Sequence, residues 1–278
     1  MVRARRRFGQ HFLEPAWVAK LVDTLDARPE EAFVEVGPGR GAITVPLASQ
    51  SARVLGIEVD RDLAAELTAA AIPGLTVLRD DVLHADLASV IGEWLGAPLG
   101  PQHQVRVVGN LPYNISSPIL FRLLDLSAST QGIRDATLML QREVADRIIA
   151  RPGTREYGVL SILTALRADA ARVLALPPGA FRPAPRVSSA VVRLSFRPPP
   201  VSVLDEPLLT RLVRSIFTQR RKTLANALKP LAARLGLSPG EALAQAEVDG
   251  RRRPETLQLV ELARLADVFA SAPIRAVL

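Results

Sequence analysis

Ala32-Phe33-Val34-Glu35-Val36-Gly37-Pro38-Gly39-Arg40-Gly41 is the stretch on which the reading of this chain turns. Residues 32–36 are rich in β-branched and aromatic side chains and read as a strand. The strand runs straight into glycines at alternate positions, 37, 39 and 41. Glycine lets the backbone turn sharply and lets a ligand approach it closely. In an open α/β sheet, ligands bind at the carboxyl ends of the strands, and this turn lies at such an end. The spacing is GxGxG, and no lysine follows it. It is therefore neither the dinucleotide fingerprint GxGxxG nor a Walker phosphate loop.

Working outward, short β-branched runs recur at 54–59, 76–78, 105–108 and 136–140. Amphipathic stretches at 16–25, 44–48, 60–71, 118–124 and 144–149 lie between and around them. This alternation predicts βαβ units, a parallel sheet covered on both faces, and so an α/β fold. Two later runs, 171–175 and 190–196, read as a hairpin added to that sheet. Arg197-Pro198-Pro199-Pro200 can neither continue a strand nor open a helix cleanly, and reads as a linker. Beyond it the pattern is helical at 207–217, 222–235, 239–246 and 254–270. Ser238-Pro239 reads as an N-cap with proline at the first helical position, and Gly236 as a helix stop. The expected division is an α/β domain over 1–200 and a small all-α domain over 201–278.

Composition narrows the chemistry. The 278 residues include no cysteine, which excludes disulfides, thiolate metal sites and a cysteine nucleophile. The three histidines, His11, His84 and His103, are far apart in sequence, which argues against a histidine-rich metal centre. Lys and Arg outnumber Asp and Glu by 35 to 28, and all but Lys20, Lys222 and Lys229 of those cations are arginine. Arginine binds phosphate bidentately and stacks on bases, so the excess leans toward nucleic acid. The N-terminus begins basic, but no apolar signal region follows it. No run of about 18 apolar residues exists to span a membrane. The expectation is a cytoplasmic protein with no membrane association.

Two carboxylates sharpen the reading of the glycine loop. Glu58 ends the second strand, placed to accept hydrogen bonds from ribose hydroxyls. Asp81 follows the third strand. With these partners, the GxGxG loop resembles the S-adenosylmethionine loop of class I methyltransferases, whose ligand has no pyrophosphate to cradle. On that resemblance Gly37, Gly39, Gly41 and Glu58 hold the cofactor, and Asp81 receives the adenine amine. After the fourth strand comes Gly109-Asn110-Leu111-Pro112-Tyr113-Asn114. Asn-Leu-Pro-Tyr is similar to the (Asn/Asp)-x-Pro-(Tyr/Phe) signature of amino-group methyltransferases. An exocyclic amine is a poor nucleophile because its lone pair is delocalised into the ring. The Asn110 side-chain oxygen and the Pro112 carbonyl could accept its two hydrogen bonds and orient the nitrogen. Tyr113 would offer a face on which the base stacks, once the base has left its helix.

Further blocks extend the likeness from Arg7 to about Ala266. They are Arg7-Phe8-Gly9-Gln10-His11-Phe12-Leu13, Asn110–Ser116, Leu140–Ala145, Pro178–Val191, Gln219–Leu224 and Glu255-Thr256-Leu257. The chain resembles the ribosomal RNA adenine N6,N6-dimethyltransferases, in particular their small-subunit (16S) branch. The resemblance implies a Rossmann-like seven-stranded class I methyltransferase domain with an N-terminal lid over 1–15. It implies S-adenosyl-L-methionine as cofactor and the small ribosomal subunit with its rRNA as partner. It makes His11 and Leu13 lid residues that contact the cofactor, adds Asn110 to that set, and makes Phe181 a second aromatic wall of the base pocket. Leu111, where DNA amino-methyltransferases commonly carry proline, resembles the dimethylating enzymes. Arg186-Val187-Ser188-Ser189 departs from the usual Lys-Val-Asp-Ser by the loss of an acidic residue.

Basic clusters mark where RNA would lie: Arg3–Arg7 (Arg5, Arg6 and Arg7 above all), Arg220-Arg221-Lys222 and Arg251-Arg252-Arg253. The second falls on the first turn of the helix expected over 222–235. Cations there oppose the helix dipole unless they meet phosphate. Neither DNA nor a second copy of the chain is expected as a partner. The competing readings are a large-subunit (23S) adenine methyltransferase of the macrolide-resistance type, and a non-catalytic assembly factor of the same fold. A dehydrogenase would leave Asn110–Tyr113 unexplained.

Overall fold

The computed structural model describes residues 12–51 and 53–271. They form two compact units. One comprises residues up to Ala145 together with Asp169–Arg197. The other comprises Asp146–Ala168 together with residues from Pro198 onward.

The first unit begins with β1 (Phe12–Leu13) and α1 (Pro15–Leu25). Then β2 (Ala32–Val36), α2 (Thr44–Ala48), β3 (Arg53–Glu58), α3 (Arg61–Ala69), β4 (Leu75–Arg79) and α4 (Leu87–Leu95) alternate. β5 (Val105–Asn110), α5 (Ser116–Thr130), β6 (Ile133–Gln141) and α6 (Arg142–Ile148) continue the pattern. After α7 (Val159–Arg167) come β7 (Ala168–Leu176), β8 (Phe181–Arg182) and β9 (Ser189–Phe196). The main sheet has seven strands in the order β4-β3-β2-β5-β6-β9-β7. β4, β3, β2, β5 and β6 are parallel, and β9 joins β6 antiparallel.

Its central strands are apolar on both faces, as a sheet covered by helices requires. Phe33, Val34 and Val36 of β2 and Val54, Leu55 and Ile57 of β3 are all buried. α1 turns Val18, Leu21, Val22 and Leu25, one helical stripe, into the same core. Strand order runs outward from β2 in both directions, so the gap between β2 and β5 is the topological switch point where α/β sheets bind ligands. At the opposite, amino end of the strands, buried Arg106 is paired with Asp135 at 2.9 Å and Glu31 at 2.8 Å.

The second unit holds α7, α8 (Glu206–Thr218), α9 (Leu224–Ala227), α10 (Lys229–Leu235), α11 (Pro239–Gln245) and α12 (Leu259–Ser271). α8 buries Leu208, Leu209, Leu212, Val213 and Ile216 in a core shared with Leu228, Leu262, Leu265 and Phe269. Ile162 and Leu166 of α7 belong to that core too. The division at Arg197/Pro198 falls close to the one expected at residue 200, but the expected continuous 1–200 domain is interrupted. Residues 146–168 go with the helical unit, because the apolar face of α7 finds its partners there.

The single helix expected over 222–235 is two. Pro230 has no N–H to donate and crowds the preceding turn, so α9 stops and α10 starts afresh. Ser238 caps α11 as expected: its Oγ accepts the Glu241 N–H at 3.1 Å, and Glu241 accepts the Ser238 N–H at 3.3 Å. Gly236, at φ 71°, ends α10. Among the described residues, no helix is long and apolar enough to cross a membrane. No group of three or more His, Asp and Glu among them is placed to hold a metal ion.

Candidate active site

The carboxyl ends of β2, β3, β4 and β5 frame one cavity. Gly37, Gly39 and Gly41 all have positive φ, at 68°, 57° and 78°. A Cβ on Gly41 would come 2.8 Å from Leu67 of α3, so this glycine serves packing. A Cβ on Gly37 or Gly39 would meet nothing within 4 Å. Both line the cavity and leave space over the backbone for a ligand. Glu58 pins this loop: its Oε2 accepts the Gly39 N–H and its Oε1 the Asp60 N–H, each at 2.9 Å. Each oxygen keeps a second lone pair.

Asp81 lies just beyond β4. Its Oδ1 accepts the Leu83 N–H at 2.9 Å, and His84 Nδ1 lies 2.9 Å from its Oδ2. The Leu83 bond above all, and then His84, hold its carboxyl below the usual range. Glu35, inside β2, lines the cavity with 1% of its surface exposed. Its Oε2 has no hydrogen-bond partner among the described residues. Burial, with the charge of Glu58 added, pushes the Glu35 carboxyl up to about 7.

Asn110 ends β5, and the chain turns into the cavity wall over Leu111–Ile115. The Leu111 N–H donates to Met139 O at 3.2 Å, and its side chain is buried. Pro112 O accepts the Ile115 N–H at 3.1 Å, which leaves its other lone pair. Tyr113 is half-buried, with its hydroxyl 2.7 Å from Ser189 Oγ. Burial raises the phenol's pKa. Leu13 lines the same cavity and is paired with Phe181 across β1 and β8.

Most of the expected site is thus brought together: Leu13, Gly37, Gly39, Glu58, Asp81, Asn110, Leu111, Pro112 and Tyr113 share one cavity. Phe181 does not. It is fully buried in the core that holds Leu13, Met139, Ala180 and Val191. Its expected role as an aromatic wall is not displayed in this arrangement. His11 and Arg3–Arg7 lie outside the described residues.

The basic clusters of the helical unit are adjacent. Leu224 N–H donates to Arg252 O at 2.7 Å and Ala225 N–H to Gly250 O at 3.0 Å. Residues 220–222 occupy the turn between α8 and α9, with Thr223 at the N-cap, rather than a first helical turn. The helix-dipole argument for them therefore lapses. Arg220 is bound to Glu255 at 2.5 Å and to Thr154 O at 3.2 Å. Arg252 is bound to Glu261 and, at 2.7 Å, to Thr256 O. Both arginines hold the fold together. Arg251 is exposed and paired with Asp249 at 3.2 Å. Arg221, Lys222 and Arg253 are exposed.

A family model described as ribosomal RNA adenine dimethylase matches residues 1–264. The chain belongs to this family. "Ribosomal RNA small subunit methyltransferase A" of Aromatoleum aromaticum is 45% identical over 246 residues, 86% of this chain and 88% of its own length. The protein of that name in Acinetobacter baylyi is 41% identical over 270 residues, 95% of this chain and 92% of its own. Among solved structures, a dimethyladenosine transferase from Plasmodium falciparum superposes with a TM-score of 0.72 at 22% identity, covering 92% of this chain and 96% of that one. The 23S rRNA methyltransferase ErmE gives 0.64 at 25%, covering 94% and 100%. The fold is therefore the Rossmann-like fold of class I methyltransferases with a helical C-terminal region. The rRNA adenine dimethylases use S-adenosylmethionine. The cavity fits that molecule: a glycine cradle that a Cβ would fill at two positions, an orphaned buried carboxyl oxygen, and strand-end carboxylates at Glu58 and Asp81.

Proposed function

We propose that this protein transfers methyl groups from S-adenosylmethionine to the exocyclic N6 of two adjacent adenosines in small-subunit ribosomal RNA, giving N6,N6-dimethyladenosine. The observation that carries the reading is the placement of Asn110–Tyr113 in the cavity wall beside the glycine loop. When bound, S-adenosylmethionine supplies an electrophilic methyl group on a sulfonium centre. Gly37, Gly39, Glu58 and Asp81 would hold it, with Leu13 closing over it and His11 contributing from the lid. The Asn110 side-chain oxygen and the second lone pair of Pro112 O accept the amine's hydrogen bonds and aim its nitrogen. Tyr113 stacks the base, a contact worth on the order of 1–3 kcal/mol. Buried Leu111 leaves this strand end without a second rigid proline ring, which suits a pocket that must readmit a monomethylated amine.

The relatives at 41–45% identity carry the small-subunit name. This favours the small-subunit substrate. We take the partner to be a pre-assembled small subunit in the cytoplasm, met by a monomer. Arg5, Arg6 and Arg7, together with Arg221, Lys222 and Arg253, meet its phosphates, and Arg251 can join once freed from Asp249. A Tyr113→Ala variant tests the assignment. Calorimetric affinity for S-adenosylmethionine should stay within about twofold of wild type while methyl transfer falls at least a hundredfold. Unchanged transfer would remove Tyr113, and with it this reading of the wall, from the reaction.

A further inference from the structure

We infer that Ser189 is a positioning residue for methyl transfer: its hydroxyl holds the Tyr113 phenol so that the ring stands ready to receive the target adenine. The inference rests on the reading of Tyr113 as the stacking face. Tyr113 belongs to no helix or strand; it sits in the turn between β5 and α5. Its backbone neighbourhood is fixed by Leu111 N–H to Met139 O, Ile115 N–H to Pro112 O at 3.1 Å, and Ser116 Oγ to Tyr113 O at 3.2 Å. Those bonds fix the Cα. The 2.7 Å bond from the phenol to Ser189 Oγ holds the far end of the ring as well.

Ser189 is a firm anchor. It is the first residue of β9, paired with Gln141 of β6, and 1% exposed. The following residues Ala190, Val191, Val192 and Leu194 are equally buried, in a strand where a branched apolar side chain would pack well. A hydroxyl there costs free energy unless it is hydrogen-bonded. The phenol supplies that bond and accounts for the serine. Holding the ring beforehand removes the rotamer ordering that base binding would otherwise require. It also limits the tilt of the base relative to Asn110 and Pro112, and orientation of this kind governs rate more than affinity.

The test is a double-mutant cycle in the full-length protein with Ser189→Ala, Tyr113→Phe and both together. Single-turnover methyl transfer to unmethylated small subunits is the readout, with thermal melting and cofactor affinity measured alongside. Each single variant should slow transfer about tenfold with the KM for subunits within twofold. The double variant should be no slower than either single, and Ser189→Thr, which keeps the hydroxyl, should recover most of the rate. Ser189→Ala at the wild-type rate, or a double variant slowed by the product of the two single effects, would overturn the inference. Tyr113→Phe leaves β9 untouched, so it decides the matter even if Ser189→Ala melts early: a wild-type rate there overturns the tether. Failure of the tether with Tyr113→Ala still inactive would leave the stacking reading standing.

Discussion

At the residue scale, Glu35 places a buried carboxyl in the cavity wall. Its carboxyl titrates near 7 in the fold against 4.5 as an ordinary glutamate. The fold thus favours the protonated form. That stabilisation is complete below about 4.5 and is lost as pH rises through about 7. Glu35→Gln should therefore unfold in urea much like wild type at pH 4.5, and be more stable than wild type at pH 8.5 by about 3 kcal/mol. A difference that does not change with pH would contradict the assignment. The glycine loop, Glu58, Asp81 and Asn110–Tyr113 were legible because each sits at a strand end and carries a chemical type with few other reasons to be there. The burial of Phe181 was not legible, because burial is decided by tertiary packing, which no local spacing reports. His84 could have been found: it stands three residues after Asp81, within reach of it in a turn. Ser189 had no such signal, since its partner lies 76 residues away.

At the scale of elements, the parallel strands were readable because their apolar runs are bounded by glycine and polar turns. β2 falls on the expected 32–36, while β6 extends beyond its expected core to Ile133–Gln141. β1 and β8, of two residues each, are too short to show any period. α4 escaped notice because Gly92 interrupts its nine residues. α8 is the reverse case, with a stripe of five buried side chains and Asp205 capping it through the Leu208 N–H at 2.7 Å. Leu212 is fully buried at the centre of that stripe. Leu212→Ala should cost about 2–5 kcal/mol of stability in chemical denaturation. A loss below about 1 kcal/mol would mean that α8 does not organise the helical unit.

At the scale of the whole molecule, the chain divides its labour between a sheet that builds the cavity and a helical unit that carries exposed cations. Only part of that unit was legible. The proline linker after residue 196 marked one boundary, but the return of residues 146–168 to the helical unit is a long-range packing choice. Replacing Arg221, Lys222 and Arg253 with alanine should weaken binding to small subunits. It should also reduce the slope of log affinity against log salt by about 2 to 3 and leave cofactor affinity unchanged. An unaltered slope would move the RNA surface elsewhere. The measurement that bears most directly on the central claim is transfer of labelled methyl groups from S-adenosylmethionine to unmethylated small subunits, large subunits and naked rRNAs in parallel, followed by nucleoside analysis. The account predicts label in N6,N6-dimethyladenosine with small subunits and none with large subunits. Label on large-subunit RNA, or no label on any substrate while the cofactor still binds, would contradict it.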